Sequence, residues 1–228
     1  WGDFNNDFLE DLLVTGKLYK NNWGTFNDIT VSAGLTGSPV VSTFIDMNND
    51  GLLDILFMGG SNKLYLNNGN EIFTDTPVTG LDSITGAISS YSIADFNNDK
   101  YPDIFIGQLW QSYPNSESNY LLLNDQSNGF IDSTNMLYKG VRTHRNHTRG
   151  STWMDYNNDG NMDLYVADYY LFRDEFYENN GDGTFSELAE GSTCIDYNDN
   201  TPYQPFPQNG NHGTGCDWAD YDNDGDMD

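Results

Sequence analysis

The chain has 228 residues, with nine Lys plus Arg against 35 Asp plus Glu, giving a formal net charge of −26 and a pI near 4.1. Such acidity excludes nucleic acid and anionic membrane surfaces as general partners, and no apolar stretch reaches the roughly 18 residues of a membrane-spanning helix, so no membrane insertion is expected. An aromatic content of 14% and regular apolar runs oppose the disorder that the acid excess alone would suggest.

In chain order the first element is an acidic loop, Asp3, Asn5, Asp7 and Asp11. An apolar run follows it (Leu12, Leu13, Val14), then a second ending in Asn21 and Asn22, then a third opened by Phe26. The next stretch begins with an apolar run into a second loop, Asp46, Asn48, Asp50 and Asp54. It continues through Ile55, Leu56 and Phe57, through Leu64, Tyr65 and Leu66 to Asn67 and Asn68, and on to Phe73. A third loop, Asp95, Asn97, Asp99 and Asp103, leads to Ile104, Phe105 and Ile106, then to Leu121, Leu122, Leu123 and Asn124, then to Phe130. The fourth, Asp155, Asn157, Asp159 and Asp163, leads to Leu164, Tyr165 and Val166, then Phe176, Tyr177 and Asn179, then Phe185. The fifth is Asp220, Asp222, Asp224 and Asp228, where the chain ends. Five matches to D-x-[DN]-x-D-x-x-x-D, with starts 43, 49, 60 and 65 residues apart, are an internal repeat.

The runs between loops hold three to six β-branched or aromatic residues bounded by Gly, Asn and Asp, and none keeps a 3.6-residue period. The expected class is all-β. Four short antiparallel strands per repeat are the pattern of β-propeller blades, with each acidic loop joining the first strand of a blade to the second. The repeats fall at about 1–35, 36–82, 83–137, 138–190 and 191–228. Residues 1–228 are thus read as a single partial propeller of about four blades plus one opening strand. The first blade lacks its opening strand. Both ends lie at a loop, so a fragment is expected, with the rest of its propeller outside this chain.

Oxygens alternating at positions 1, 3, 5 and 9 of a tight loop converge on one point. The backbone carbonyl of position 7 (Leu9, Leu52, Tyr101, Asn161, Asp226) adds a further ligand. An oxygen-only set rich in carboxylates favours Ca2+ over zinc, copper or magnesium, so up to five calcium sites are expected. An EF-hand is excluded, because its position 12 requires Glu and here is Val14, Phe57, Ile106 or Val166. For any single loop the alternative is a set of Asx-turns that binds nothing. Position 6 is Gly51, Gly160 and Gly225 in three loops but Phe8 and Lys100 in the others. A left-handed backbone there would make the Phe8 and Lys100 loops the weaker ones.

The loops, the run Asn179-Asn180-Gly181-Asp182-Gly183-Thr184-Phe185 and the string from Trp218 to Asp228 resemble the FG-GAP/VCBS repeat, the calcium-loop propeller repeat of integrin α chains. Within it the chain most resembles the cartilage acidic protein (ASPIC/UnbV-type) group. The likeness covers most of the chain outside 109–118, 134–150 and 189–213. It implies the propeller fold and calcium, and a place in adhesins, surface or matrix proteins, or accessory modules of secreted enzymes.

Length variation concentrates on the face opposite the acidic loops, where Trp110, Tyr113, Tyr169, Tyr170 and Tyr203 form a candidate ligand face. Such aromatics suit a sugar or a protein, or else plug gaps between blades. Arg142, Arg145 and Arg149 lie in the one basic stretch, 139–149, able to receive an anionic glycan or carboxylate or to pair internally with surplus Asp. Cys194 and Cys216 flank the longest insert. A disulfide there, worth about 3 kcal/mol, would indicate an oxidising compartment, with two free thiols as the alternative. No nucleophile elbow, zinc-protease or phosphate-loop string occurs, so no enzyme is expected. The resulting expectation is a secreted, periplasmic or cell-surface calcium-binding module for adhesion or for an extracellular glycan or protein ligand. The alternative is the accessory, non-catalytic propeller of a secreted polysaccharide-degrading enzyme.

Overall fold

The structure, a computed structural model, describes residues 1–60, 62–82, 84, 87–109, 119–137, 148–168 and 174–187. Fifteen strands are formed there, in four antiparallel sheets. The first sheet is three-stranded, β1 (Leu12–Val14), β2 (Lys17–Asn22) and β3 (Thr25–Asp28). The second runs β4 (Val41–Ile45), β5 (Asp54–Met58), β6 (Lys63–Asn67) and β7 (Phe73–Thr76). The third runs β8 (Ala87–Ala94), β9 (Asp103–Leu109), β10 (Tyr120–Asn124) and β11 (Phe130–Asp132), followed by a 3-10 turn at Thr134–Met136. The fourth runs β12 (Thr148–Met154), β13 (Asp163–Asp168), β14 (Glu175–Asn179) and β15 (Phe185–Glu187). Each four-stranded sheet is a simple meander in sequence order, and the described residues hold no α-helix. The class is all-β, an incomplete β-propeller built of blades.

Burial explains the order of the strands. The second strand of each complete blade reads as a nearly unbroken apolar run, and it is buried on both faces: every residue of Asp54–Met58 is buried, and in Asp103–Leu109 all but Leu109. Continuous rather than alternating hydrophobicity is what a strand covered on both faces requires. Outermost strands are short and polar instead. In β7, of sequence FTDT, only Phe73 is buried, and in β3 every residue is exposed. Register in the second sheet is unbroken from Val41↔Met58 to Ile45↔Asp54, which delivers Asp54 to the base of the acidic loop that precedes it.

Two compact units divide the chain. The first comprises residues 1–85, 100–102 and 123–131. Its core gathers Phe4, Leu18, Leu35, Ile55, Phe57, Tyr65 and Phe73. The Phe4 ring stacks on Phe44 of β4 (centroids 6.4 Å apart, planes at 8°) and meets Phe73 of β7 at 5.7 Å. The second unit comprises 86–99, 103–122 and 132–228. There Phe96 repeats the arrangement, stacked on Trp153 of β12 (5.7 Å, 7°) and meeting Phe185 of β15 at 5.7 Å. Phe4 and Phe96 are both position 2 of an acidic loop. These two loops each send one side chain onto the sheet that follows.

The insert read as 134–150 is shorter than the sequence suggests. Its first residues form the 3-10 turn, and 148–150 already belong to β12, so Arg149 is an exposed strand residue. Of the other sites expected from sequence, Trp110, Tyr113, Arg142, Arg145, Tyr169, Tyr170, Tyr203, Cys194, Cys216 and the fifth loop (Asp220, Asp222, Asp224, Asp226, Asp228) lie outside the described residues.

Candidate metal-binding loops

The four described loops share one backbone path. Position 4 is left-handed in all of them, at Asn6 (φ 57°), Asn49 (57°), Asn98 (59°) and Asn158 (57°). So is position 6, at Phe8 (68°), Gly51 (84°), Lys100 (76°) and Gly160 (88°). Two left-handed residues flanking position 5 coil the segment so that successive amides turn toward its acidic side chains. Asn tolerates this conformation better than most residues with a Cβ. Position 4 is Asn in every loop, Asn223 of the fifth included. That recurrence within the chain is the sequence signal for the second left-handed turn, distinct from the alternating ligand positions.

Hydrogen bonds follow the coil. The position-1 carboxylate accepts from the amides of positions 5 and 6: Asp46 Oδ1 from Asp50 N (3.0 Å) and Oδ2 from Gly51 N (3.0 Å), with the same pair at Asp3 and at Asp155. Position 3 contributes its amide oxygen to the position-5 N–H, at 3.0–3.1 Å in all four loops. The position-5 carboxylate accepts the N–H of position 7 at Leu9, Leu52 and Asn161. Position 9 is fully buried as Asp11, Asp54, Asp103 and Asp163. One oxygen of this carboxylate takes the N–H of position 2, as Asp54 takes Met47 (3.0 Å). The other takes the N–H of an Asn at the end of the third blade strand, as Asp54 takes Asn67 (2.8 Å) and Asp163 takes Asn179 (2.7 Å).

Electrostatics show that this concentration of acid is costly. Burial pushes Asp54 up to about 6 against two opposing backbone N–H bonds, and Asp50 and Asp46 add repulsion. Asp163 is likewise pushed up to about 6 by burial, with Asp159 and Asp155 contributing, and Asp11 is raised for the same reasons. Among the described residues Asp3, Asp46 and Asp155 take part in no ion pair; the pairs that do form include Lys17–Asp28, Lys20–Glu71 and Lys63–Asp75. Nor do any three His, Cys, Asp or Glu side chains among the described residues gather into a ready-made ligand cluster. The loop carboxylates face backbone amides instead, and an oxygen that accepts one N–H keeps a second lone pair. Oxygen-only donors on a tight coil, with mutual repulsion that a dication would relieve, fit a hard cation. The ligands would be positions 1, 3, 5 and 9 with the position-7 carbonyl.

The model of the FG-GAP-like repeat matches three stretches, residues 3–57, 46–106 and 155–228. The chain belongs to this repeat family. No curated protein matches it. Eleven solved chains do. One is an Agrocybe aegerita lectin described as recognising non-reducing terminal N-acetylglucosamine. It is 19% identical with a TM-score of 0.48, the match covering 75% of this chain and 44% of that one. The chain thus spans less than half the length of that protein.

A further set of residues lies beside the loops. The second apolar run of every blade ends in Asn (Asn21, Asn67, Asn124, Asn179), which reads as turn chemistry. Asn67 and Asn179 are instead buried, and the side-chain N–H groups of all four are spent on backbone carbonyls beside the acidic loops. Their recurrence at one place in the repeat was visible; their burial was not.

Proposed function

We propose that the chain is a calcium-binding FG-GAP/VCBS module, of the cartilage acidic protein (ASPIC/UnbV-type) group, from a secreted or cell-surface protein. It serves adhesion or the binding of an extracellular glycan or protein, and is not itself a catalyst. The observation that carries the calcium reading is the shared double left-handed coil at positions 4 and 6, wrapped around an oxygen-only donor set. Each loop would hold Ca2+ through its own residues: Asp3, Asn5, Asp7 and Asp11 in the first, the equivalent residues in the others. The bound ion supplies positive charge where position-9 acids are buried among like charges. The binding role is supported by membership of the repeat family and by the absence of any catalytic string in the sequence. Equilibrium dialysis against millimolar calcium tests the reading. Several ions bound per chain, displaced poorly by equimolar magnesium, is the expected result. No uptake by the folded chain would overturn it.

A further inference from the structure

Position 2 of a loop lies between two ligand positions, so its backbone must be fixed before the loop can close. Phe4 is fixed from three sides. Its ring is packed on Phe44 and Phe73, its N–H donates to Asp11 Oδ2 (3.3 Å), and its carbonyl accepts from Asn67 Nδ2 (2.8 Å). Asn67 belongs to the following sheet. Its other Nδ2 proton goes to the carbonyl of Leu53, position 8 of its own loop (3.0 Å). Its main-chain N–H goes to Asp54, position 9 of that loop, and its Oδ1 accepts Gly69 N–H (2.9 Å). One buried side chain thus holds the base of its own loop and the second residue of the loop before it.

The same bonds recur in the second unit. Phe96 is packed on Trp153 and Phe185, donates to Asp103 Oδ2 (3.3 Å) and accepts from Asn179 Nδ2 (2.7 Å). Asn179 also reaches the carbonyl of Met162 (3.2 Å) and gives its N–H to Asp163. Asn21 shows what own-loop contact alone looks like. Its Nδ2 donates to Glu10 at position 8 (3.0 Å), its N–H goes to Asp11 (2.8 Å), and its Oδ1 accepts from Gly24 (2.8 Å). A buried carbonyl stripped of its donor is expensive, so removing the Asn67 amide should disturb the earlier loop as well as its own.

We propose that Asn67 and Asn179 are positioning residues that couple loop 3–11 to loop 46–54 and loop 95–103 to loop 155–163, so that closing one loop of a pair favours closing the other. The proposal rests on the calcium reading for what closes the loops. The coupling itself rests on hydrogen bonds present without any ion.

Hydrogen–deuterium exchange with calcium titrated, on the intact chain, separates these possibilities. In Asn67→Ala, amides of loop 46–54 and of loop 3–11 should both lose protection. The calcium needed to protect 3–11 should rise roughly fivefold, the equivalent of one hydrogen bond. Loop 155–163 should not change. Asn21→Ala, whose contacts lie on loop 3–11 alone, should lower protection of 3–11 directly and reach 46–54 only as a smaller rise in the calcium it needs. Loss confined to 46–54 in Asn67→Ala would overturn the coupling. If calcium protects no loop even in the wild type, the calcium reading is what fails, and the coupling is then judged by exchange of 3–11 without calcium. Asn179→Ala, read at 95–103 against 155–163, supplies the same comparison should Asn67→Ala not fold.

Discussion

Lys100 holds a left-handed backbone (φ 76°) at the place where two other loops carry Gly51 and Gly160. A Cβ built at Gly51 or Gly160 would meet nothing within 4 Å, so the handicap of Lys100 and Phe8 is conformational, about 1 kcal/mol or a fivefold change in affinity. Lys100→Gly should tighten the third site by about that factor, and Gly51→Ala should weaken the second by as much. Calcium titrations of the two variants check this; weaker binding in Lys100→Gly would remove the ranking. Asp168 offers a second test. Thr148 Oγ1 lies 2.8 Å from Asp168 Oδ1 and 3.0 Å from Asn119 Oδ1, yet carries one proton. A neutral Asp168 donating to Thr148 resolves the conflict. Burial, with repulsion from Glu175 and Asp174, puts its pKa at about 8 rather than 3.8. The folded state then binds the extra proton between those values, so stability is full below the ordinary pKa and falls as pH rises through 8, by up to about 1.4 kcal/mol per pH unit. Asp168→Asn, in saturating calcium, should flatten the loss measured by denaturant unfolding from pH 5 to 8. An unchanged slope would mean that Asp168 is charged in the fold.

At the scale of elements, the strands were legible because fully buried second strands write themselves as apolar runs, as Ile55, Leu56 and Phe57 do between Asp54 and Gly59. The closeness of neighbouring elements was not legible. Gly80 carries no motif, but it sits at φ 83° against the chain entering β11, where an added Cβ would come within 1.9 Å of the Phe130 carbonyl. The contact is closed by Phe130 N–H to Thr79 O (3.1 Å). Backbone cannot yield as a side chain can, so Gly80→Ala should cost about 3 kcal/mol or more in denaturant unfolding. A loss under about 1 kcal/mol would show that β11 is not seated there. Arg149 shows the opposite error. The basic stretch 139–149 groups it with Arg142 and Arg145, whereas Arg149 lies within β12, exposed at the register irregularity between Thr148 and Gly150.

For the whole molecule, the five-fold acidic repeat made both the all-β class and the candidate loops readable, since oxygen ligands must come from fixed positions in sequence. Long-range partners of those loops, above all Asn67 and Asn179, depend on which blade lies next to which, and no local pattern encodes that. On the calcium proposal, cations held in the loops would offset the acid concentration reflected in the net charge of −26. At sites with Kd near 10⁻⁴–10⁻³ M, calcium at about 10 mM contributes about 1.4–2.7 kcal/mol per loop. For a chain of this size each kcal/mol moves Tm by about 2–4 °C. Several loops together therefore amount to about ten degrees or more. Thermal unfolding of the same preparation in chelator and then in excess calcium is the direct measurement. A rise of that size, absent with magnesium at equal concentration, is the result expected; an identical Tm in both conditions would contradict calcium binding by the loops.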